Sequence, residues 1–457
     1  MILKLWMMDK EERKNVFTLC THFNIHYNRT KKYEHIYKEI ESLVGKEYSK
    51  EIWCLVTNTA RAIKYKAKGL SIPRDFAPYK GNEQSIRHRK MVKLLDLLSK
   101  TGYIVTYLGG VLDWKEMDVV GSRCLFTEKY LSMWVGTDVS DEQDIINLVE
   151  IKDRESKEVK NTKGFAGVRS IRQQMVTFNN LLSSVEIEHE GQVLPVQMYK
   201  RSFIDNLTLG GRLYNTTGGV QILSQEERAE LKINGKNVVE LDFKAMHASL
   251  LYEREWQDNQ EGLESWIATE WNGIYNPYGA DLSFLNVDQE KIEWFRTRYN
   301  KSKYDPVRNL QKRIVMISLN AKSYTKACAN ITKHYKADFD QRGTQDEVNC
   351  LYFGIEPDVD KKGELEFRSG DSVQAVAYHN SPIVKYFFKD QGISLQYLDS
   401  EILSDVMSKL IMQGEVLLPE HDSIIVLDEL EGVALQYMKD AYLKVMGSDK
   451  FCFVEKK

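Results

Sequence analysis

No apolar run in this 457-residue chain approaches the roughly 18 to 20 residues that span a bilayer. The opening Met1 to Met8 gives way at once to charge over 9–14, with no apolar h-region or cleavage site. The expectation is a protein that neither crosses a membrane nor is exported. Cysteine is scarce: Cys20, Cys54, Cys124, Cys328, Cys350 and Cys452 are scattered without CxxC or Cys/His spacing. That argues against a disulfide framework or a zinc ribbon and fits a reducing compartment. With no GxxxxGK[ST] loop and no strand-GxGxxG-helix unit, ATPase and dinucleotide-dehydrogenase readings lose their main support. Internal repeats and low-complexity tracts are also missing.

What is present is a chain with 42% hydrophobic and 28% charged residues, able to bury a large core and too long for one ordinary domain. Its net charge of −3 conceals an asymmetry, because residues 1–100 carry 21 Lys and Arg against 11 Asp and Glu, and the remainder 42 against 55. A basic front suits contact with a polyanion such as nucleic acid, and an acidic remainder suits metal-binding carboxylates; Lys-rich helices are also commonly just solvated faces.

Apolar positions at three- and four-residue spacing predict helices over 11–27, 33–44, 49–66 and 82–99, broken by the stretch 69–81 with Pro73 and Pro78. The fourth helix carries Arg87, Arg89, Lys90 and Lys93 and runs into short β-like segments around Gly109-Gly110 and Gly121. This is the outline of a winged helix, or equally of an ordinary α+β segment with a surface hairpin. A strand is expected over 145–151, a helix over 165–182 and a hairpin over 185–199 turning at Glu190-Gly191.

Three later blocks carry chemistry. The run 236–243 is an apolar strand with Asp242 at its end, leading into a helix over 244–252. A carboxylate there is held rigidly, as a metal ligand requires, although a helix N-cap is the plainer use. In 308–322, Arg308, Lys312, Met316 and Asn320 recur every four residues along one helical face. Two cations one turn apart suit a triphosphate; a solvated basic edge has the same pattern. Finally, 416–426 reads as two apolar β-runs meeting at His421-Asp422-Ser423, where an aspartate between buried strands binds a cation or caps the turn. A Ser/His/Asp hydrolase is disfavoured, because sequence neighbours seldom point at one another and no nucleophile elbow is present.

In order and in residue type these blocks resemble the palm and fingers motifs shared by family A DNA polymerases, the bacterial DNA polymerase I type, and single-subunit phage and mitochondrial RNA polymerases. The resemblance implies that Asp242 and Asp422 bind two magnesium ions, that Arg308 and Lys312 grip the incoming triphosphate, and that His421 orients the hairpin or touches the primer end. Gly211-Arg212-Leu213-Tyr214, with Gln221 and Arg228, is similar to the family's segment near template and primer backbone. Leu395-Gln396-Tyr397 is similar to its Gln-containing helix before the His-Asp hairpin, which makes Arg212, Gln221 and Gln396 template or primer contacts.

Two nucleotide-binding positions depart from the pattern. Asn320 stands where the family has an aromatic that stacks on the nascent base pair, so that role passes to Tyr324 or base-pair checking is looser. His247 stands where the DNA enzymes have glutamate and the RNA enzymes glycine. An imidazole crowds a 2′-OH and favours deoxynucleotides, while Lys312-Arg313 and His421-Asp422-Ser423 look at least as much like the RNA enzymes. Glu240 and Glu401 are auxiliary carboxylates or satisfied surface residues.

The resulting expectation is an α+β fold with a right-hand polymerase palm and fingers over 210–457, a connecting thumb-like region over 141–209, and a basic, largely helical region over 1–140 that includes a winged helix. The expected activity is template-directed nucleotidyl transfer with two Mg2+ ions, DNA synthesis slightly ahead of RNA synthesis. Partners would be a DNA template with primer or nascent strand and nucleoside triphosphates, with an accessory subunit left open. The resemblance places such an enzyme in the cytoplasm of a bacterial or phage-infected cell, encoded by a phage or mobile element. No acidic motif set for a proofreading exonuclease stands in the first 200 residues. The rivals are a non-catalytic DNA-binding replication protein and a metal-dependent nuclease.

Overall fold

The computed structural model of the chain describes residues 1–457 except 9, 24, 26, 28, 75–78, 80–83, 114–117, 141–147 and 218. It is a mixed α/β structure with two main apolar cores, one drawn from Phe23 to Trp134 and the other from Leu148 to Phe451. No described helix is long and apolar enough to cross a membrane.

In the first core, helices Glu34–Val44, Ser49–Lys64 and His88–Lys100 accompany a five-stranded mixed sheet. The strand order is Ile2–Lys4, Ile104–Leu108, Arg123–Phe126, Gly69–Ser71, Cys20–His22. The expected helix over 11–27 is corrected here: the helix is Lys10–Thr18, and Cys20–His22 is a strand parallel to Gly69–Ser71. Helical spacing in a window cannot register a strand partner so distant in sequence. Gly69 lets the chains close, since a Cβ there would lie 2.3 Å from the Cys124 carbonyl oxygen. The strands after the basic helix, Ile104–Leu108 and Arg123–Phe126, are antiparallel neighbours inside this sheet. The winged-helix outline therefore meets a five-stranded mixed sheet rather than a free hairpin, and residues 114–117 of its outer hairpin lie outside the described residues. The same holds for 82–83 of the predicted fourth helix and 145–147 of the predicted strand, which is found as Val149–Lys152.

The second core surrounds a seven-stranded antiparallel sheet ordered Gln192–Val193, Ile187–His189, Lys232–Ile233, Lys236–Phe243, Ser423–Leu427, Leu418–Glu420. The last strand, Val454–Lys456, pairs with the end of Lys236–Phe243 on the edge whose start is taken by Lys232–Ile233. Asn234-Gly235, both at positive φ, make the tight turn that sets the register of that first pairing. Helix Glu431–Met446 packs on the sheet, and Gly392–Met412 packs against that helix and against Met246–Asp258. Full burial of side chains such as Val406, Met438 and Ile425 contributes about 2 kcal/mol each. Residues 141–209, read from sequence as a connector, supply Met175, Phe178, Leu182, Ile187 and Tyr199 to this same core.

Strand Asn206–Asn215 is pressed against helix Gly392–Met412 at a glycine pair. Gly211 has φ +88, and a Cβ on it would lie 2.7 Å from both Phe203 Cε1 and Ser400 Oγ. The close approach is fixed by buried Arg201, whose Nε donates to the Gly211 carbonyl at 2.9 Å and whose Nη2 donates to Glu401 Oε1 at 2.8 Å. Gly211→Ala therefore meets strain and overlap together and should cost about 2 to 3 kcal/mol in urea unfolding; an unchanged midpoint would show that this contact is slack.

Candidate active site

Asp242 and Asp422 meet at one end of the central ladder. Asp242 is the penultimate residue of strand Lys236–Phe243 and stands opposite Ser423, while the amide of Phe243 donates to the Asp422 carbonyl at 3.3 Å. Asp422 lies in the two-residue turn between Leu418–Glu420 and Ser423–Leu427, made possible by His421 at φ +55. Burial first, and then repulsion from Asp422, pushes the Asp242 carboxyl up to about 6, against the pull of the Lys457 ammonium. That ammonium sits 2.9 Å from Asp242 Oδ2. Glu420 is pushed up to about 7 by burial, opposed by Arg228 and reinforced by Glu240 and Asp422. Its Oε2 is buried with no hydrogen-bond partner among the described residues. His421 is half-exposed, and burial followed by the Arg212 charge holds its imidazole below the usual histidine range.

Two guanidinium groups brace this end of the sheet. Arg228 grips Glu240 with Nε and Nη2, both at 2.9 Å, and Ser423 Oγ donates to the same carboxylate at 2.8 Å. Glu240, expected at the surface, is instead 9% exposed. The strand is buried on both faces here, with Val239, Glu240 and Leu241 all inside, so the carboxylate needs a cation. Arg212 donates to the fully buried Asp399 through Nε at 3.2 Å and Nη2 at 2.5 Å, and His247 Nε2 meets the same Asp399 Oδ2 at 3.1 Å. A carboxylate oxygen in a charged pair only accepts, so the His247 Nε2–H donates to it. The imidazole is 5% exposed and its Nδ1 is buried without a partner among the described residues.

The basic helix spans Pro306–Asn320, started by Asp305, whose carboxylate accepts from the Arg308 amide at 2.9 Å, and by Pro306 in its first turn. Arg308 and Lys312 are exposed, one turn apart. The Arg308 guanidinium lies 5.4 Å from the centre of the Tyr278 ring. Burial raises the Tyr278 phenol, Arg308 opposes that, and Asp422 and Asp242 add to it, so the ring feels the cation and both carboxylates. Asn320 closes the helix: its amide donates to the Met316 carbonyl at 2.8 Å and its side chain fills the space over Gly392. Tyr324, exposed at the start of the next helix, donates its hydroxyl to the Gly370 carbonyl at 3.1 Å. Gln221 ties strand Asn206–Asn215 to the hairpin, donating to the carbonyls of Leu213 at 3.3 Å and Pro419 at 3.2 Å. Gln396 is partly exposed on helix Gly392–Met412.

Sequence reasoning missed Asp399, Tyr278 and Lys457. Asp399 had a signal: it lies four residues after buried Leu395 and three before buried Ile402, on the apolar stripe of its helix, where a carboxylate demands a buried cation. The donor set of Asp242 and Asp422 is hard oxygen only, which suits magnesium or manganese rather than zinc. No group of three or more His, Cys, Asp or Glu that could hold a metal ion occurs among the described residues. An ion at these two carboxylates would complete its shell from water and substrate phosphates, as magnesium commonly does.

No family model matches the chain, and no curated protein does. Among solved structures, the POL domain of Pol1 from M. smegmatis, in complex with DNA primer-template and dNTP, is similar over 72% of this chain and 59% of that one. The sequence identity is 15% and the TM-score 0.25. The chain thus spans less than two thirds of that structure's length.

The raised Asp242 carboxyl has a measurable consequence. The folded state binds this proton more tightly than the unfolded chain does, so its contribution to stability is lost as pH rises from about 4 to about 6, on the order of 3 kcal/mol at most. Asp242→Asn removes that titration. In buffer with a chelator, the stability of the variant relative to wild type should climb by up to that order between about pH 4 and about pH 8; a pH-independent difference would contradict it.

Proposed function

We propose that the chain is a template-directed nucleotidyltransferase that elongates a nucleic-acid strand from nucleoside triphosphates with two magnesium ions. The observation that carries this reading is the meeting of Asp242 and Asp422 at one end of a shared ladder, with exposed Arg308 stacked on Tyr278, whose phenol also feels both carboxylates. Magnesium at the two carboxylates supplies activation of a primer 3′-hydroxyl and neutralisation of triphosphate charge. Asp242 is fixed by the strand and Asp422 by the turn, so both present oxygens without further ordering. Arg308 and Lys312 offer charged donors to the triphosphate and to the pyrophosphate as its charge develops. Arg212 and Gln221 act through what they hold, the Asp399 centre and the hairpin, while the partial exposure of Gln396 supports a contact with template or primer. The basic excess of residues 1–100 suits backbone phosphates of the duplex.

DNA synthesis and RNA synthesis stand as equal readings. The case for deoxynucleotides rested on an imidazole free to crowd a 2′-OH, and His247 is instead buried against Asp399. A primer-extension assay on DNA template with dNTPs or NTPs separates the two. Asp242→Asn and Asp422→Asn should each abolish templated extension, and Arg308→Ala or Lys312→Ala should lower kcat/KM by about 10²-fold. Salt-sensitive DNA binding without incorporation from either pool would favour a non-catalytic replication protein instead.

A further inference from the structure

The last strand places a lysine where this reading needs a metal. Val454–Lys456 runs antiparallel to the end of Lys236–Phe243, with Glu455 directly opposite Asp242. The next residue, Lys457, donates its backbone amide to the Glu240 carbonyl at 3.0 Å, which anchors the root of its side chain beside the site. From there its ammonium lies 2.9 Å from Asp242 Oδ2 and 2.7 Å from Glu455 Oε1. The ammonium thus bridges Asp242 and Glu455, and at Asp242 it opposes the rise in proton affinity that burial and Asp422 cause.

We propose that Lys457 is the resident cation of the site, holding with its ammonium the place beside Asp242 that a divalent ion takes, so that metal binding proceeds by displacing it. The inference rests on the reading of Asp242 and Asp422 as metal ligands. Two features make displacement easy. The lysine stem is long and flexible, and the side chain is 27% exposed, so the ammonium has a route to solvent. Glu455, 47% exposed, offers it a second partner that it keeps when it leaves Asp242. Without metal the charge on Asp242 is therefore offset from within. With metal, the same positive charge stays with Glu455, whose carboxylate Lys244 and Arg308 also help to hold charged.

The test is direct metal binding by the full chain, read as loss of the free Mn2+ signal in electron paramagnetic resonance, with Mn2+ alone as the probe. Lys457→Met should bind Mn2+ roughly two- to fivefold more tightly than wild type, the fold-change equivalent of losing one partly exposed ion pair as competitor. Lys457→Arg should stay near wild type, and Asp242→Asn and Asp422→Asn should lose the site. Metal-free Lys457→Met should also melt lower than wild type and recover with Mn2+. If Lys457→Met binds Mn2+ no more tightly while Asp242→Asn loses it, or if Lys457→Arg gains as much as Lys457→Met, the placeholder role is overturned and the metal reading stands. If both aspartate variants keep wild-type affinity, the metal reading fails and takes the placeholder role with it.

Discussion

Two carboxylates forced together at the end of one antiparallel ladder set the terms for the structure around them. The register that puts Asp242 opposite Ser423 also brings the Asp422 turn against Phe243, so neither charge can leave without unpairing the most buried strands of the sheet. Like charges at such a site raise each other's proton affinity and oppose folding at neutral pH. The raised positions of Asp242 and Glu420 come from burial first, with the neighbouring carboxylates adding to it. A structure that tolerates such repulsion has cations arranged to offset it, here Arg212, Arg228 and Lys457, with Arg201 further along the same strands.

Each arginine holds a carboxylate in place. Arg228 holds Glu240 inside the sheet, while Arg212 and Arg201 hold Asp399 and Glu401, two residues apart on helix Gly392–Met412. Breaking one member of such a buried pair would leave an uncompensated charge worth about 3 to 5 kcal/mol. These pairs therefore fix geometry more than they add stability. The Gly210-Gly211 contact belongs to the same arrangement, because only a strand without side chains at that point comes near enough for Arg212 and Arg201 to reach the helix. Arg308 and Lys312 stand apart from this bracing: they are exposed, and the helix that carries them is started by Asp305 and Pro306 rather than by contacts of their own side chains.

What the sequence made legible follows physical range. The strand ending at Asp242, the basic helix and the His421-Asp422 hairpin were readable because periodicity, capping and turn chemistry act within a few residues. The hairpin at Glu190-Gly191 was readable for the same reason, both residues having positive φ. Cys20–His22 was misread as helix because its strand identity comes from Gly69–Ser71. Glu240 was misread as a surface carboxylate because its burial depends on Arg228 and Ser423 together. His247 looked like a group facing the nucleotide because spacing from Asp242 says nothing of Asp399, whose helix lies far along the chain. Lys457 gave no local sign at all, since only the pairing of the last strand brings it to Asp242.

The account stands on a divalent cation shared by Asp242 and Asp422, and manganese supplies the most direct view of it. Anomalous diffraction from crystals soaked in Mn2+ should give its strongest peak between these two carboxylates, with the Lys457 ammonium withdrawn from Asp242. Crystals that show no peak there, or show manganese at another cluster while Lys457 still bridges Asp242 and Glu455, would contradict the account.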